Sequence, residues 1–261
     1  MTGFTRPGPG LPPGPPLRVS YRIGRIAPLL SERWLDLGCG DGGYSAEMLR
    51  RGAAEVIGVD PEEDQIRAAS ARHLDHATFQ VARAEMLPFP DEAFDGVLMN
   101  EVFEHVCSEQ AALAEVRRVL RPGGFLVLVS PNRWFPFDRH GMRTSRRTVG
   151  FPVPLLPWLP QRLGRRWMRA RNYWPHQLAE NVERSGLRVR SREFIWPVLE
   201  ENPWLPPGMR ARYRRHLREL DRAPGLRRLG VSTMVIASHD LLQIRLAHRS
   251  RDRPRPAPTG P

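Results

Sequence analysis

The run Trp34-Leu35-Asp36-Leu37-Gly38-Cys39-Gly40-Asp41-Gly42 is an apolar strand leading into a glycine-rich turn that opens a helix. Glycine tolerates positive φ and lets a backbone approach a ligand closely. A phosphate loop would read Gly-x-Gly-x-x-Gly or end in Lys-Ser/Thr. Here the glycines fall at every second position and a carboxylate, Asp36, precedes them. Negative charge at that point opposes an anion and suits a cationic ligand, such as a sulfonium bearing an amino group. A second acid, Asp60, closes Val56-Ile57-Gly58-Val59-Asp60. It lies about 20 residues past the turn, where nucleotide-binding α/β sheets place the acid that bonds ribose hydroxyls.

Each of these residues also has a plainer role open to it. Gly38 and Gly40 would serve a purely structural turn, and Asp60 would cap a helix begun by Pro61, a residue suited to a first helical turn. Further along come Ala84-Glu85-Met86-Leu87-Pro88-Phe89-Pro90-Asp91 and Asn100-Glu101-Val102-Phe103-Glu104-His105. Met86, Leu87 and Phe89 read as core, with Leu87 the one candidate ligand neighbour. His105 is suited to deprotonate an acceptor hydroxyl, since an unperturbed imidazole titrates at about 6.5; the alternative is packing or loop orientation.

Elements that position these residues follow from apolar periodicity. Strands are expected at Arg33–Leu37, Glu55–Asp60, Ala77–Val81, Phe94–Met99 and Phe125–Ser130, with helices at Gly43–Arg51, Glu62–His73 and Glu109–Leu120. Such alternation specifies a parallel sheet with helices on both faces. Prolines 152, 154, 157 and 160 forbid a long helix before Gln161. Beyond them a helix at His176–Ser185 and strands at Leu187–Ile195 and Val231–Ala237 are expected. Residues 1–16 read as a flexible Pro/Gly-rich leader and 251–261 as a flexible tail, leaving 17–250 as one α/β domain.

With Leu120-Arg121-Pro122-Gly123-Gly124-Phe125 as a fourth motif, the stretch from Trp34 to Asn132 resembles the class I, Rossmann-like methyltransferases that use S-adenosylmethionine, in the broad group containing the ubiquinone and menaquinone biosynthesis enzymes (methyltransferase type 11). The resemblance implies a seven-stranded, mostly parallel sheet whose last two strands form an antiparallel pair. It implies that Asp36, Gly38, Cys39 and Gly40 lie along the methionine part of S-adenosylmethionine, that Asp60 and the adjoining Pro61 meet the ribose, that Ala84 and Glu85 lie against adenine, and that Asn100 and Glu101 face the cofactor. No metal is implied.

All 40 basic residues are Arg, against 28 acids, for a net charge of +12. Residues 1–130 carry 13 Arg against 18 acids and residues 131–230 carry 22 against 8, so the positive field belongs to the C-terminal half. Segments 131–174 and 198–229 are expected to elaborate the acceptor side. Trp134, Arg139 and His140 leave the fifth strand where α/β sheets bind ligands and are candidate acceptor contacts; an aromatic lid is the alternative. The apolar stretch Val149–Leu159, followed by Arg162, Arg165, Arg166, Arg169 and Arg171, suits either an anionic membrane surface or a hydrophobic acceptor pocket with a basic face. Three functions follow: methylation of a small, lipid-linked or glycan-linked acceptor, with O-methylation favoured; methylation of nucleic acid by the Arg-rich half; or an inert cofactor-binding scaffold. The absence of an Asn-Pro-Pro-Tyr-type run after Met99 weighs against the second, and intact glycine and acid motifs against the third. The two cysteines, Cys39 and Cys107, have no metal-type spacing, and a cytoplasmic enzyme, peripheral to the membrane in one reading, is expected.

Overall fold

The computed structural model describes residues 16–138, 142–143, 148–149, 153–159, 167–196 and 225–240, with isolated positions between 206 and 223. Its centre is a seven-stranded sheet built from β1 (Arg33–Leu37), β2 (Glu55–Asp60), β3 (Ala77–Val81), β4 (Phe94–Asn100), β5 (Leu120–Pro131), β10 (Arg188–Ile195) and β11 (Ser232–Ser238). The strand order is β10-β11-β5-β4-β1-β2-β3. Strands β3 to β5 run parallel through β2, β1 and β4, whereas β11 pairs antiparallel with both β5 and β10. This is the Rossmann-like methyltransferase sheet.

Successive side chains of the central strands point to opposite faces, and both faces are covered, so the strands read as continuous apolar runs. Leu35 and Leu37 of β1, Val97 and Met99 of β4, and Leu126 and Leu128 of β5 pack with helices α4 (Glu109–Val119) and α5 (Pro175–Arg184). The intervening Trp34, Leu98, Val127 and Val129 pack with α1 (Leu17–Ile26) and α2 (Gly43–Arg50). Trp34 fits because position 96 is glycine: a β-carbon there would lie 2.4 Å from the indole. Helix α3 (Glu63–Ser70) follows β2.

Several expectations change in detail. Helix α1 was not anticipated, although Val19, Ile23 and Ile26, spaced for one helical face, are buried. Helix α3 ends at Ser70 and not at His73, which has φ +48°. The fifth strand begins at Leu120 and carries Arg121-Pro122-Gly123-Gly124 as an irregularity within it, with a register shift against β4 between Phe94 and Gly96. Between β5 and α5 lie four two-residue strands: β6 (Phe137–Asp138), β7 (Met142–Arg143), β8 (Thr148–Val149) and β9 (Val153–Pro154). β6 pairs with β9 and β7 with β8. A 3-10 turn, Leu156–Trp158, follows.

Candidate active site

The glycine turn docks on the end of β2. The amides of Gly38 and Cys39 donate to the carbonyl of Val59 at 2.7 and 3.0 Å, and the amide of Gly40 donates to Oδ2 of Asp60 at 3.1 Å. Three consecutive N–H groups that would face a phosphate in an anion-binding loop are thereby engaged within the protein. Gly38 has φ +78°, and a β-carbon on it would meet Cγ2 of Val102 at 2.1 Å, so both backbone conformation and space require glycine there.

Asp36 points to the α1/α2 side of the sheet and is buried, with its Oδ2 accepting from the Ser45 hydroxyl at 2.6 Å. Burial pushes its carboxyl up to about 6, against the Ser45 hydrogen bond and with Asp60 and Asp41 adding to the rise. Among the described residues Asp36 has no cationic partner. A buried acid lacking a cation, beside a second acid and a turn whose Gly38, Cys39 and Gly40 amides are already engaged, fits a positively charged ligand. Cys39 is buried next to both acids, and burial drives its thiol upward.

Asp60 is not the helix cap that its position before Pro61 suggested. Its Oδ1 accepts from the amide of Glu62 at 3.0 Å, but α3 starts one residue later and Pro61 lies outside it. Each carboxylate oxygen therefore takes one backbone donor and keeps a further lone pair for a ligand. Beyond Asp60, Gly38, Pro61, Ala84, Glu85, Val102 and His105 wall a cavity of about 90 Å³. Glu85 ties two of its walls together by accepting from the amides of Cys107 at 2.6 Å and Ser108 at 3.3 Å. Although burial opposes it, these bonds and Arg83 hold Glu85 below the usual carboxylate range. Leu87 is a core residue held by Glu115, and Met86 is largely exposed, contrary to its reading as core.

Asn100, which ends β4, and Glu101, which follows it, lie in a network the sequence did not reveal. Arg22 of α1 donates to Oδ1 of Asn100 at 2.7 Å, to Oε1 of Glu101 at 2.9 Å and to Oγ of Ser232 at 3.2 Å. Glu101 has φ +57°, so the guanidinium holds a turn that few non-glycine residues adopt. Burial opposes charge on Arg22, yet Glu101 and Tyr44 together outweigh it and the guanidinium is held above its ordinary value. Next to it Glu104 is buried, accepting from the Ser130 hydroxyl at 3.0 Å; burial and the neighbouring Glu101 keep its carboxyl well above the usual range.

His105 is exposed and also lines a second, larger cavity of about 850 Å³, shared with Glu104, Arg169, Arg171, Tyr173 and Asn181. Glu109 organises this wall, accepting from Arg171 at 3.1 Å, Tyr173 at 2.9 Å and Asn181 at 3.0 Å; burial and this contact raise the Tyr173 phenol. Trp134 packs edge-on against Trp174 with ring centroids 5.1 Å apart, on the same side of the molecule as the β5 exit. Arg139 and His140 lie outside the described residues. Arg22, Ser45 and Glu109 escaped the sequence reading because ordinary Arg, Ser and Glu residues in helices carry no motif; only the burial of Val19, Ile23 and Ile26 in one stripe could have pointed to α1 and so to Arg22.

A model of the methyltransferase domain family matches residues 35–128. The ubiquinone biosynthesis O-methyltransferase of Rhizobium johnstonii is 32% identical over 180 residues, covering 68% of this chain and 68% of that one. The demethylmenaquinone methyltransferase of Symbiobacterium thermophilum is 35% identical over 139 residues, covering 50% and 54%. Among solved structures, an S-adenosylmethionine-dependent methyltransferase from Mesorhizobium loti superposes with a TM-score of 0.58 at 20% identity, over 84% of this chain and 97% of that one. The chain belongs to the class I S-adenosylmethionine-dependent methyltransferases. It is an enzyme of that cofactor.

Proposed function

We propose that the chain O-methylates a hydroxyl on a small aromatic acceptor of the quinone-precursor kind, carried on a lipid. The observation that carries this reading is the position of His105, in the shared wall of the small cavity beside Gly38 and Pro61 and the large cavity beside Tyr173 and Arg171. Two neighbouring spaces meeting at one imidazole suit a cofactor on one side and an acceptor on the other. The names of the relatives, ubiquinone biosynthesis O-methyltransferases among them, support a phenolic acceptor.

Asp36 and Asp60 would hold the cationic and ribose parts of the cofactor, the glycine turn would run alongside, and Ala84 and Glu85 would flank its base. Asn100 and Glu101, fixed by Arg22, border the reacting region. When bound, S-adenosylmethionine supplies an electrophilic methyl group on a sulfonium. His105 would take the proton of the acceptor hydroxyl, exchanging an O–H for an N–H bond and leaving the oxygen as the nucleophile for the methyl group that the cofactor would supply. Holding nucleophile and methyl carbon in line contributes much of the rate in such a displacement; a positioned base adds about 10² to 10⁴-fold.

The test is methyl transfer from labelled cofactor to water-soluble catechols and to RNA, with cofactor affinity measured by calorimetry in parallel. His105→Ala is expected to keep cofactor affinity and lose catechol turnover. Full turnover of that variant across the pH range removes His105 from catalysis, and labelling of RNA with no labelling of catechols overturns the acceptor.

A further inference from the structure

We infer that Glu109 is a positioning residue, which fixes the backbone on either side of His105 by aiming the side chain of Arg171. The inference rests on the acceptor reading above in taking His105 as the base, and adds to it the groups that hold that base in place.

His105 stands in the link between β4 and α4, residues 102–108, where neither a strand ladder nor a helix sets the backbone. Within that link the His105 amide donates to the Val102 carbonyl at 2.8 Å and closes one turn. A base must stand within about 2.6 to 3.2 Å of the proton it takes, so contacts from other parts of the fold have to hold the link. The two carbonyls flanking His105 are both taken by one residue. Arg171 donates its amide to Glu104 O at 3.3 Å and its Nη2 to Val106 O. The next two amides, of Cys107 and Ser108, go to Glu85. The peptide frame of His105 is thereby held by its carbonyls from the acceptor side and by its amides from the cofactor side.

The backbone of Arg171 is anchored close by. Two residues on, Tyr173 donates its amide to Pro131 O at 3.3 Å and accepts from the Arg133 amide at 3.0 Å, which ties it to the exit of β5. The guanidinium is another matter, because the Arg171 side chain is long and 32% exposed, and such a chain has many rotamers to lose. Glu109 supplies the direction. Its Oε1 accepts from Arg171 Nη1 at 3.1 Å and from the Tyr173 hydroxyl at 2.9 Å, and its Oε2 accepts from Asn181 Nδ2 at 3.0 Å. Three donors lying 62, 64 and 72 positions away thus converge on one carboxylate.

The place of that carboxylate is set by α4. Glu109 is the first residue of the helix, behind an N-cap in which Ser108 Oγ accepts from the Ala111 amide at 3.2 Å, and the positive end of the helix dipole favours its charge. An ion pair this exposed adds little to stability. Its effect is geometric: the planar fork of arginine lets one nitrogen meet Glu109 while another meets Val106 O, a reach that a single ammonium does not reproduce. Tyr173 completes the wall, with its ring centroid 5.4 Å from that of Phe103, where the turn carrying His105 begins.

The test follows the ring of His105 directly. The full chain is prepared with nitrogen-labelled histidine, and the His105 imidazole signals are assigned by their loss in His105→Ala. Glu109→Gln keeps the size of the side chain but sets an amide donor against one of its three donors, and Arg171→Lys keeps the charge but loses the fork. In both variants the His105 signals are expected to shift or broaden while those of His73, His76 and His239 stay in place. Turnover of a soluble catechol should fall in kcat by roughly 10- to 100-fold, with KM and cofactor affinity kept, and Glu109→Gln should cause no further loss in the His105→Ala background. Unmoved His105 signals in both folded variants overturn the inference. So does a raised KM with kcat kept, which makes Glu109 a contact of the acceptor, or a loss that adds to that of His105→Ala. Full turnover of His105→Ala sinks the base assignment whatever the signals do, so the two failures are told apart.

Discussion

The amide of Gly40 donates to Oδ2 of Asp60 at 3.1 Å, which couples the glycine turn after β1 to the acid ending β2 across 20 residues of sequence. The same carboxylate takes the amide of Glu62 on its other oxygen. A ligand bonded by Asp60 therefore meets an acid whose rotation is already fixed from both sides.

Replacement of Asp60 by Asn should keep the acceptor oxygen that serves one backbone amide but remove the charge. Its affinity for S-adenosylmethionine is expected to fall by about 1.5 to 3 kcal/mol, the usual size of a charged hydrogen bond, with the fold retained by circular dichroism. Calorimetry showing wild-type affinity in the folded variant would take Asp60 out of the cofactor site.

Asp36 makes the protein's stability depend on pH in a direction opposite to most carboxylates. Its folded pKa, about 6, stands above its ordinary 3.8, so the folded state holds a proton that the unfolded state releases. Its contribution is fully present below about pH 4 and is lost as pH rises through about 6. Asp36→Asn keeps an acceptor for Ser45 and removes the buried charge. Urea unfolding should show the variant more stable at pH 7.5 by up to about 3 kcal/mol, with the difference shrinking to nothing near pH 4. Cofactor affinity should move the other way, weakening in the variant and, in the natural sequence, weakening as pH falls below 6. Equal stability at both pH values would mean that the Asp36 carboxylate is not penalised by its burial.

Gly38→Ala meets two obstacles, a φ of +78° and the Val102 side chain 2.1 Å from the new β-carbon. A loss of about 1 to 3 kcal/mol is expected from overpacking, in addition to the cost of the strained backbone. Val102→Ala in the same chain should recover the steric part and leave the backbone part, so the double-mutant cycle separates them. Additive losses would show that Val102 does not hold the turn.

Much of the fold was legible because it is local. The alternation of apolar runs with helical stripes fixed β1 to β5 and their helices to within a few residues and put Asp36, the glycines and Asp60 at the strand ends, whereas their roles toward a cofactor came from resemblance. The C-terminal strands β10 and β11 were also found by alternation, although their antiparallel pairing came from resemblance. Helix α1 was missed: its Arg-rich sequence follows sixteen residues dominated by Pro and Gly, and its apolar stripe is short.

By itself, then, the sequence determined which residues lie at the ends of the strands and that a carboxylate would stand before a glycine turn and another 20 residues after it. Strand period and glycine conformation are properties of neighbouring residues. Tertiary structure alone decided that Ser45 would be the partner of buried Asp36, that Arg22 would join Asn100, Glu101 and Ser232 across as many as 210 positions, and that His105 would stand between two cavities. Those relationships depend on which faces of the sheet α1, α2 and α5 cover. That choice is made by packing many apolar side chains at once, and no short pattern in the chain records it.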